Sequence, residues 1–218
     1  MLRGLKKRFP AGGISISIQK NASLETVLKR KLFCIRHGKP TIQYPSSLTD
    51  FIPAARFNEL LDHYDLAGLD PEWNRARALS RIGGYSVSSD LPRALETAVL
   101  YTGRSADQIV QDRLFREVPL PRYRTNVKLP AFALLFLSRF GWFSGTMKGV
   151  ESYRESVNRV RNAADYLENT TRAHRETALF SHGFFLWMLH RELVSRGWKT
   201  EKKGPFRYLE IAEYTSDL

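Results

Sequence analysis

Four short stretches of the chain carry residues suited to chemistry on an anion. Phe33-Cys34-Ile35-Arg36-His37-Gly38-Lys39-Pro40 is an apolar run that ends in an arginine and a histidine and then breaks at Gly38 and Pro40. Ala178-Leu179-Phe180-Ser181-His182-Gly183-Phe184 repeats the design. Between them, Ser88-Ser89-Asp90-Leu91-Pro92-Arg93 places an arginine just inside a helix start, and Phe115-Arg116-Glu117-Val118-Pro119 offers a carboxylate in a loop. Phosphoryl transfer from a dianionic ester needs charge on the equatorial oxygens, an in-line nucleophile and a proton for the leaving alcohol. Arg36 and Arg93 can supply forked, permanently charged donors, which lysine could not. A neutral imidazole can attack phosphorus while its second ring nitrogen is held by a backbone carbonyl.

These side chains need strands that end at one edge. Leu32 to Ile35, Tyr85 to Ser88, Ile109 to Val110 and Thr177 to Phe180 read as short buried strands, with Arg207 to Tyr214 as a final edge strand. In open α/β sheets, ligands bind beyond the carboxyl ends of the strands. The glycine after each histidine permits close approach of backbone, and the helix start after Gly183 offers its dipole to an anion. Helices are predicted over Phe57 to Leu69, Pro71 to Arg81 (ended by Gly83-Gly84), from a Ser89 or Asp90 cap through Val99, over Val150 to Glu168, and over Phe184 to Leu193. Pro119 to Arg124 is a loop because its two prolines remove backbone donors. Its Arg122 and Arg124, with Lys39, are candidate substrate-binding groups. Leu129 to Phe143, with Ala131 to Leu137 unbroken and Phe140, Trp142 and Phe143 beyond, is read as a buried helix or a cap over the pocket. A monotopic membrane contact flanked by Arg122, Arg124, Lys128 and Lys148 is the alternative.

Arg-His-Gly, Ser-x-x-x-x-Arg-Ala-x-x-Thr-Ala, Arg-Glu-Val and Ser-His-Gly, in that order, resemble the histidine phosphatase (phosphoglycerate mutase-like) superfamily from about Leu32 to the C-terminus. The resemblance implies a three-layer α/β/α sandwich around a mostly parallel sheet, and a phosphatase that works through a phosphohistidine without metal or other cofactor. His37 would be the nucleophile, Arg36, Arg93 and His182 the phosphate ligands, and Glu117 the proton donor, with Glu151 a second carboxylate candidate. The substrate would be a phosphorylated small molecule or another phosphomonoester. Members of the mutase subgroup carry an Asn-x-x-Phe-x-Gly-Trp pattern after the first motif. This chain has Phe57-Asn58-Glu59-Leu60-Leu61-Asp62-His63 instead, which weakens the mutase alternative. His63 reads as a surface residue.

At 218 residues the chain is expected to form one domain, 32–218, preceded by a basic arm, 1–31. The arm holds +7 of the net +12 and is a candidate for contact with an anionic surface, so a non-catalytic basic binding module is a further alternative. Ile14, Ile16 and Ile18 could form a short strand and Ser23 to Lys31 a brief helix. No secretory h-region and no apolar run of the roughly 20 residues a transmembrane helix requires is present, and a cytoplasmic location is expected. Cys34, the only cysteine, reads as a core residue; zinc-ligand spacings and nucleotide-binding glycine loops are absent.

Overall fold

A computed structural model describes residues 29–42, 47–75 and 82–217. In chain order it contains β1 (Arg30–Arg36), β2 (Phe51–Pro53), α1 (Ala54–Leu66), α2 (Pro71–Arg75), β3 (Tyr85–Ser88), α3 (Pro92–Thr102), β4 (Val110–Gln111), β5 (Lys128–Pro130), α4 (Ala131–Phe143), α5 (Tyr153–His174), β6 (Glu176–Ser181), α6 (Gly183–Ser195) and β7 (Ile211–Ser216). Two short 3-10 turns, Ala106–Gln108 and Arg113–Phe115, flank β4. The predicted Ile14 to Ile18 strand, most of the Ser23 to Lys31 helix and the end of the Pro71 to Arg81 helix lie outside the described residues.

The main sheet runs β4-β3-β6-β1-β7, parallel except for β7, which pairs antiparallel with β1. Pleating sends alternate side chains to opposite faces. Leu32, Cys34, Val87 and Leu179 join Val160, Ala163, Leu167, Phe185 and Leu189 of α5 and α6 on one face. Ile35, Ala178 and Phe180 join Ala98 and Tyr101 of α3 on the other. Helices therefore cover both faces, giving the three layers expected.

Element boundaries shift for local reasons. β1 starts at Arg30, inside the segment read as arm, because the antiparallel β7 gives it partners: Arg30 pairs with Ser216, and Lys31 forms an ion pair with Glu213. The long helix starts at Tyr153, since Ser152 and Glu155 form a reciprocal capping box. At α3 neither Ser89 nor Asp90 is the N-cap. That position falls to Leu91, with Pro92 in the first turn, while Asp90 holds Arg116 at 2.5 and 2.6 Å.

β2 and β5 form a separate antiparallel pair beside the main sheet. α1 and α4 pack together over it through Phe57, Leu61 and Leu134. The predicted burial of α4 holds for one face only. Leu134 and Trp142 are buried, whereas Phe132, Phe136, Phe140 and Phe143 stand exposed.

Candidate active site

Parallel register brings the two histidines side by side. Arg36 lies opposite Ser181, and Phe180 lies opposite Ser88, so β1, β6 and β3 end at the same level. The next residues, His37, His182 and Ser89, leave the sheet together. The imidazole centroids of His37 and His182 are 5.0 Å apart, and His182 Nε2 lies 2.9 Å from Ser89 Oγ. Arg93, in the first turn of α3, is fully buried and reaches back to the carbonyls of Tyr64 and Asp65.

His37 Nδ1 lies 2.7 Å from the Gly38 carbonyl. A carbonyl can only accept, so Nδ1 carries the proton and the Nε2 lone pair is free. Burial, then Arg93, then Arg36 hold the His37 pKa well below the usual histidine value. His182 is lowered for the same reasons, with His37 adding to the effect. Both rings are therefore neutral at neutral pH. Three polar atoms around them, Arg36 Nε, Arg93 Nε and His182 Nδ1, are buried without a hydrogen-bond partner, which is costly for groups of this kind.

The glycines serve neighbouring side chains. A Cβ on Gly183 would lie 3.1 Å from the Arg36 guanidinium, and one on Gly38 would lie 1.9 Å from Asn74 Oδ1. Buried Asn74 accepts from Lys39 N and donates to the carbonyls of Lys39 and Asp70, so it pins the turn that follows His37. Thr97 of α3 accepts from Gly38 N on the same turn.

Sequence patterns placed the histidines at an open edge, but they lie under a cover. The Tyr64 and Tyr208 rings sit 6.5 and 5.6 Å from His37. Each ring also stacks on an arginine, Tyr208 on Arg36 at 4.2 Å and Tyr64 on Arg93 at 4.5 Å. Burial and the neighbouring Tyr208 raise the Tyr64 pKa, so the hydroxyl stays protonated. Leu209, in the left-handed region at φ 61°, turns the chain beside Tyr208, and its amide donates to the Arg36 carbonyl. Neither tyrosine carries a sequence signal for this role.

Above the cover lies a cavity of about 740 Å³. Seven arginines (Arg36, Arg93, Arg113, Arg116, Arg122, Arg139 and Arg159) and three carboxylates (Asp65, Glu117 and Glu151) line it, with Leu61, Leu120, Leu135 and Val150 as apolar walls. Several arginines are already paired: Arg122 with Asp62, Arg116 with Asp90, and Arg159 with Glu151 through two 2.9 Å contacts. Lys39 and Arg124 do not line this cavity. Lys39 is 3.4 Å from Asp70 Oδ2, and Arg124 is exposed.

Glu117 lines the cavity, but it also occupies the helix start that the sequence offered to the anion. Its Oε1 accepts from Phe185 N at 2.8 Å and Val118 N at 2.9 Å, and its Oε2 from Phe184 N at 3.1 Å. The amides at the start of α6 therefore serve a carboxylate. Among the described residues, no group of three or more His, Cys, Asp and Glu side chains is placed to share a metal ion.

A profile described as "Histidine phosphatase superfamily (branch 1)" matches residues 72–216, about two thirds of the chain and all of it beyond the Arg36-His37-Gly38 motif. No curated protein sequence matches. Among solved structures, a mycobacterial glucosyl-3-phosphoglycerate phosphatase is similar at TM-score 0.55 and 18% identity, over 86% of this chain and 90% of that one. A phosphoglycerate mutase from Bacillus anthracis is similar at TM-score 0.54 and 18% identity, over 87% and 88%. At such identities the likeness is one of fold. The profile match carries the assignment, and paired strand-end histidines flanked by Arg36 and the buried Arg93 agree with it: this chain belongs to the histidine phosphatase superfamily, branch 1.

Proposed function

We propose that the protein is a phosphomonoesterase that hydrolyses its substrate through a phosphohistidine on His37. The observation that carries this reading is the His37 ring itself. Its Nδ1 is fixed by the Gly38 carbonyl, its Nε2 lone pair is free, and arginines with unpartnered buried donors stand on both sides. A phosphate placed there completes the hydrogen bonding of Arg36 and Arg93, whose fixed charges neutralise the equatorial oxygens without a metal.

In the first step His37 Nε2 bonds to phosphorus as the ester P–O bond breaks. The leaving oxygen takes its proton from Glu117, whose Oε2 accepts a single backbone hydrogen bond against two on Oε1 and so has the freer valence for it. Water then attacks phosphorus, gives its proton to Glu117 and releases inorganic phosphate, which restores both residues. His182, neutral in the free protein, gains stability as a cation beside the dianion and serves as a further donor. The arginine-rich cavity favours a small phosphorylated substrate with more anionic character than one phosphate, and its apolar walls favour a carbon skeleton beyond it. Lys39 and Arg124 have no part in this scheme, and Arg122 retains one at the cavity wall.

The test is turnover of an aryl phosphate in the presence of EDTA, with rapid acid or base quench to trap the phosphoenzyme. Turnover that survives EDTA, with an acid-labile, base-stable phosphoenzyme absent from His37→Ala, is the expected result. Equal turnover in His37→Ala would sink the mechanism. Labelling followed by transfer to an added alcohol or sugar phosphate in preference to water would make the protein a mutase.

A further inference from the structure

The outer face of α4 is unused by the site. Phe132, Phe136, Phe140 and Phe143 recur at four- and three-residue steps, so they form one stripe along the helix. That stripe is 54, 67, 60 and 46% exposed, and the Phe136 and Phe140 rings stack at 6.2 Å. The strap before α1 lengthens it. Phe132 N donates to the Leu48 carbonyl and Ala131 N to the Asp50 carbonyl, and Phe51 pairs across from Pro130. Leu48 and Phe51 are 54 and 63% exposed. A patch of this extent is unusual on a monomeric protein surface and marks contact with something apolar.

Charge identifies the partner. Residues 118–150 contain Arg122, Arg124, Lys128, Arg139 and Lys148 and no carboxylate. Lys128 precedes the stripe and Lys148 follows it; both are exposed, as is Arg124, and none of the three forms an ion pair among the described residues. Asp50 is the one carboxylate on the strap. A second copy of a chain carrying +12 would bring like charges together at this face, whereas an anionic bilayer offers both an apolar interior for the rings and negative headgroups for the flanking cations. No helix among the described residues is long and apolar enough to cross a membrane, so the contact is interfacial.

We propose that α4 docks the protein on anionic membrane surfaces through its phenylalanine stripe. The proposal is independent of the reading of the pocket. Its second consequence concerns position: Leu135 and Arg139 on the inner face of α4 line the cavity, so a docked protein holds its pocket one helix away from the bilayer.

The experiment is co-sedimentation of the full chain with phosphatidylcholine vesicles, plain or containing about 30% phosphatidylserine. Wild-type protein, Phe136→Ser/Phe140→Ser and Lys128→Gln/Lys148→Gln are compared, with circular dichroism melts verifying that each variant folds. The expected result is pelleting with the anionic vesicles only, a loss of about tenfold or more in the phenylalanine variant and a smaller, salt-sensitive loss in the lysine variant. Wild-type binding by the folded phenylalanine variant would overturn the proposal and leave residues 1–31 as the anchor. Absence of vesicle binding together with a dimer in sedimentation velocity would overturn it in favour of a second copy.

Discussion

At the scale of single residues, His37, the proposed nucleophile, is held neutral and covered at once. Arg36 and Arg93 act on His37 twice, keeping its ring neutral through their charge and holding the tyrosines over it through their faces. The tyrosine rings must part before a reagent can reach His37. Tyr208→Ala removes the ring that lies 5.6 Å from His37 and stacks on Arg36. A cation–π contact of this kind is worth about 1 kcal/mol, so His37 should react with diethyl pyrocarbonate about fivefold faster in the variant, followed by the carbethoxy-histidine absorbance. An unchanged rate would show that the Tyr208 ring does not limit access. Glu151 illustrates the opposite case: its two oxygens are committed to Arg159, so a carboxylate that looked eligible in the sequence serves to fix a wall of the cavity.

At the scale of elements, the turn after β1 is the joint on which the site depends. Gly38 is required by its neighbour Asn74 on α2, and Thr97 on α3 holds the same turn from the other side. Gly38→Ala forces a Cβ to within 1.9 Å of Asn74 Oδ1, so either the Asn74 side chain or the turn must move. We expect a loss of about 1–3 kcal/mol in chemical denaturation. Asn74→Gly in the Gly38→Ala background should recover part of it, and no recovery would mean that the clash is elsewhere. Motif and element were separable here. The sequence showed a glycine after each histidine and read both as room for backbone approach, but each makes room for a side chain that arrives from a distant element.

At the scale of the molecule, the balance of buried charge sets the response to acid. His37 and His182 both have folded pKa values below their ordinary value of 6.5, so the unfolded chain binds more protons as pH falls through that value. Stability is therefore fully present above about pH 7 and declines as pH drops below 6.5, by up to about 1.4 kcal/mol per pH unit for each histidine. The carboxylates whose pKa values are lowered, half-buried Asp70 and exposed Asp107, Glu155 and Asp217, lose their contribution only as pH falls below about 4. The two effects occupy separate windows. Thermal melts between pH 7.5 and 5 should show the histidine slope, and His37→Asn/His182→Asn should flatten it; an equal slope in the variant would assign it to other groups. Added phosphate should oppose the decline, since a dianion beside His182 favours its protonated form.

Local signals were enough for the main-sheet strands, the longer helices and the family resemblance. Apolar runs ending in His-Gly and the three- and four-residue apolar steps of α3 and α5 depend on residues within a few positions of one another, and such short-range chemistry survives in a linear reading. The helix starts at Leu91 and Ser152, and the short β2–β5 pair, were not read from it. The neutral state of His37, its tyrosine cover, the capture of the α6 amides by Glu117 and the isolation of Lys39 and Arg124 were not legible. Each depends on the meeting of segments tens of residues apart, as when Tyr64, His37 and Tyr208 converge from a helix, a strand end and a loop. Composition alone also could not tell a buried apolar helix from an exposed one. Burial depends on whether another element covers a face, and packing against α1 covers the Leu134 face of α4 and leaves the phenylalanine face open.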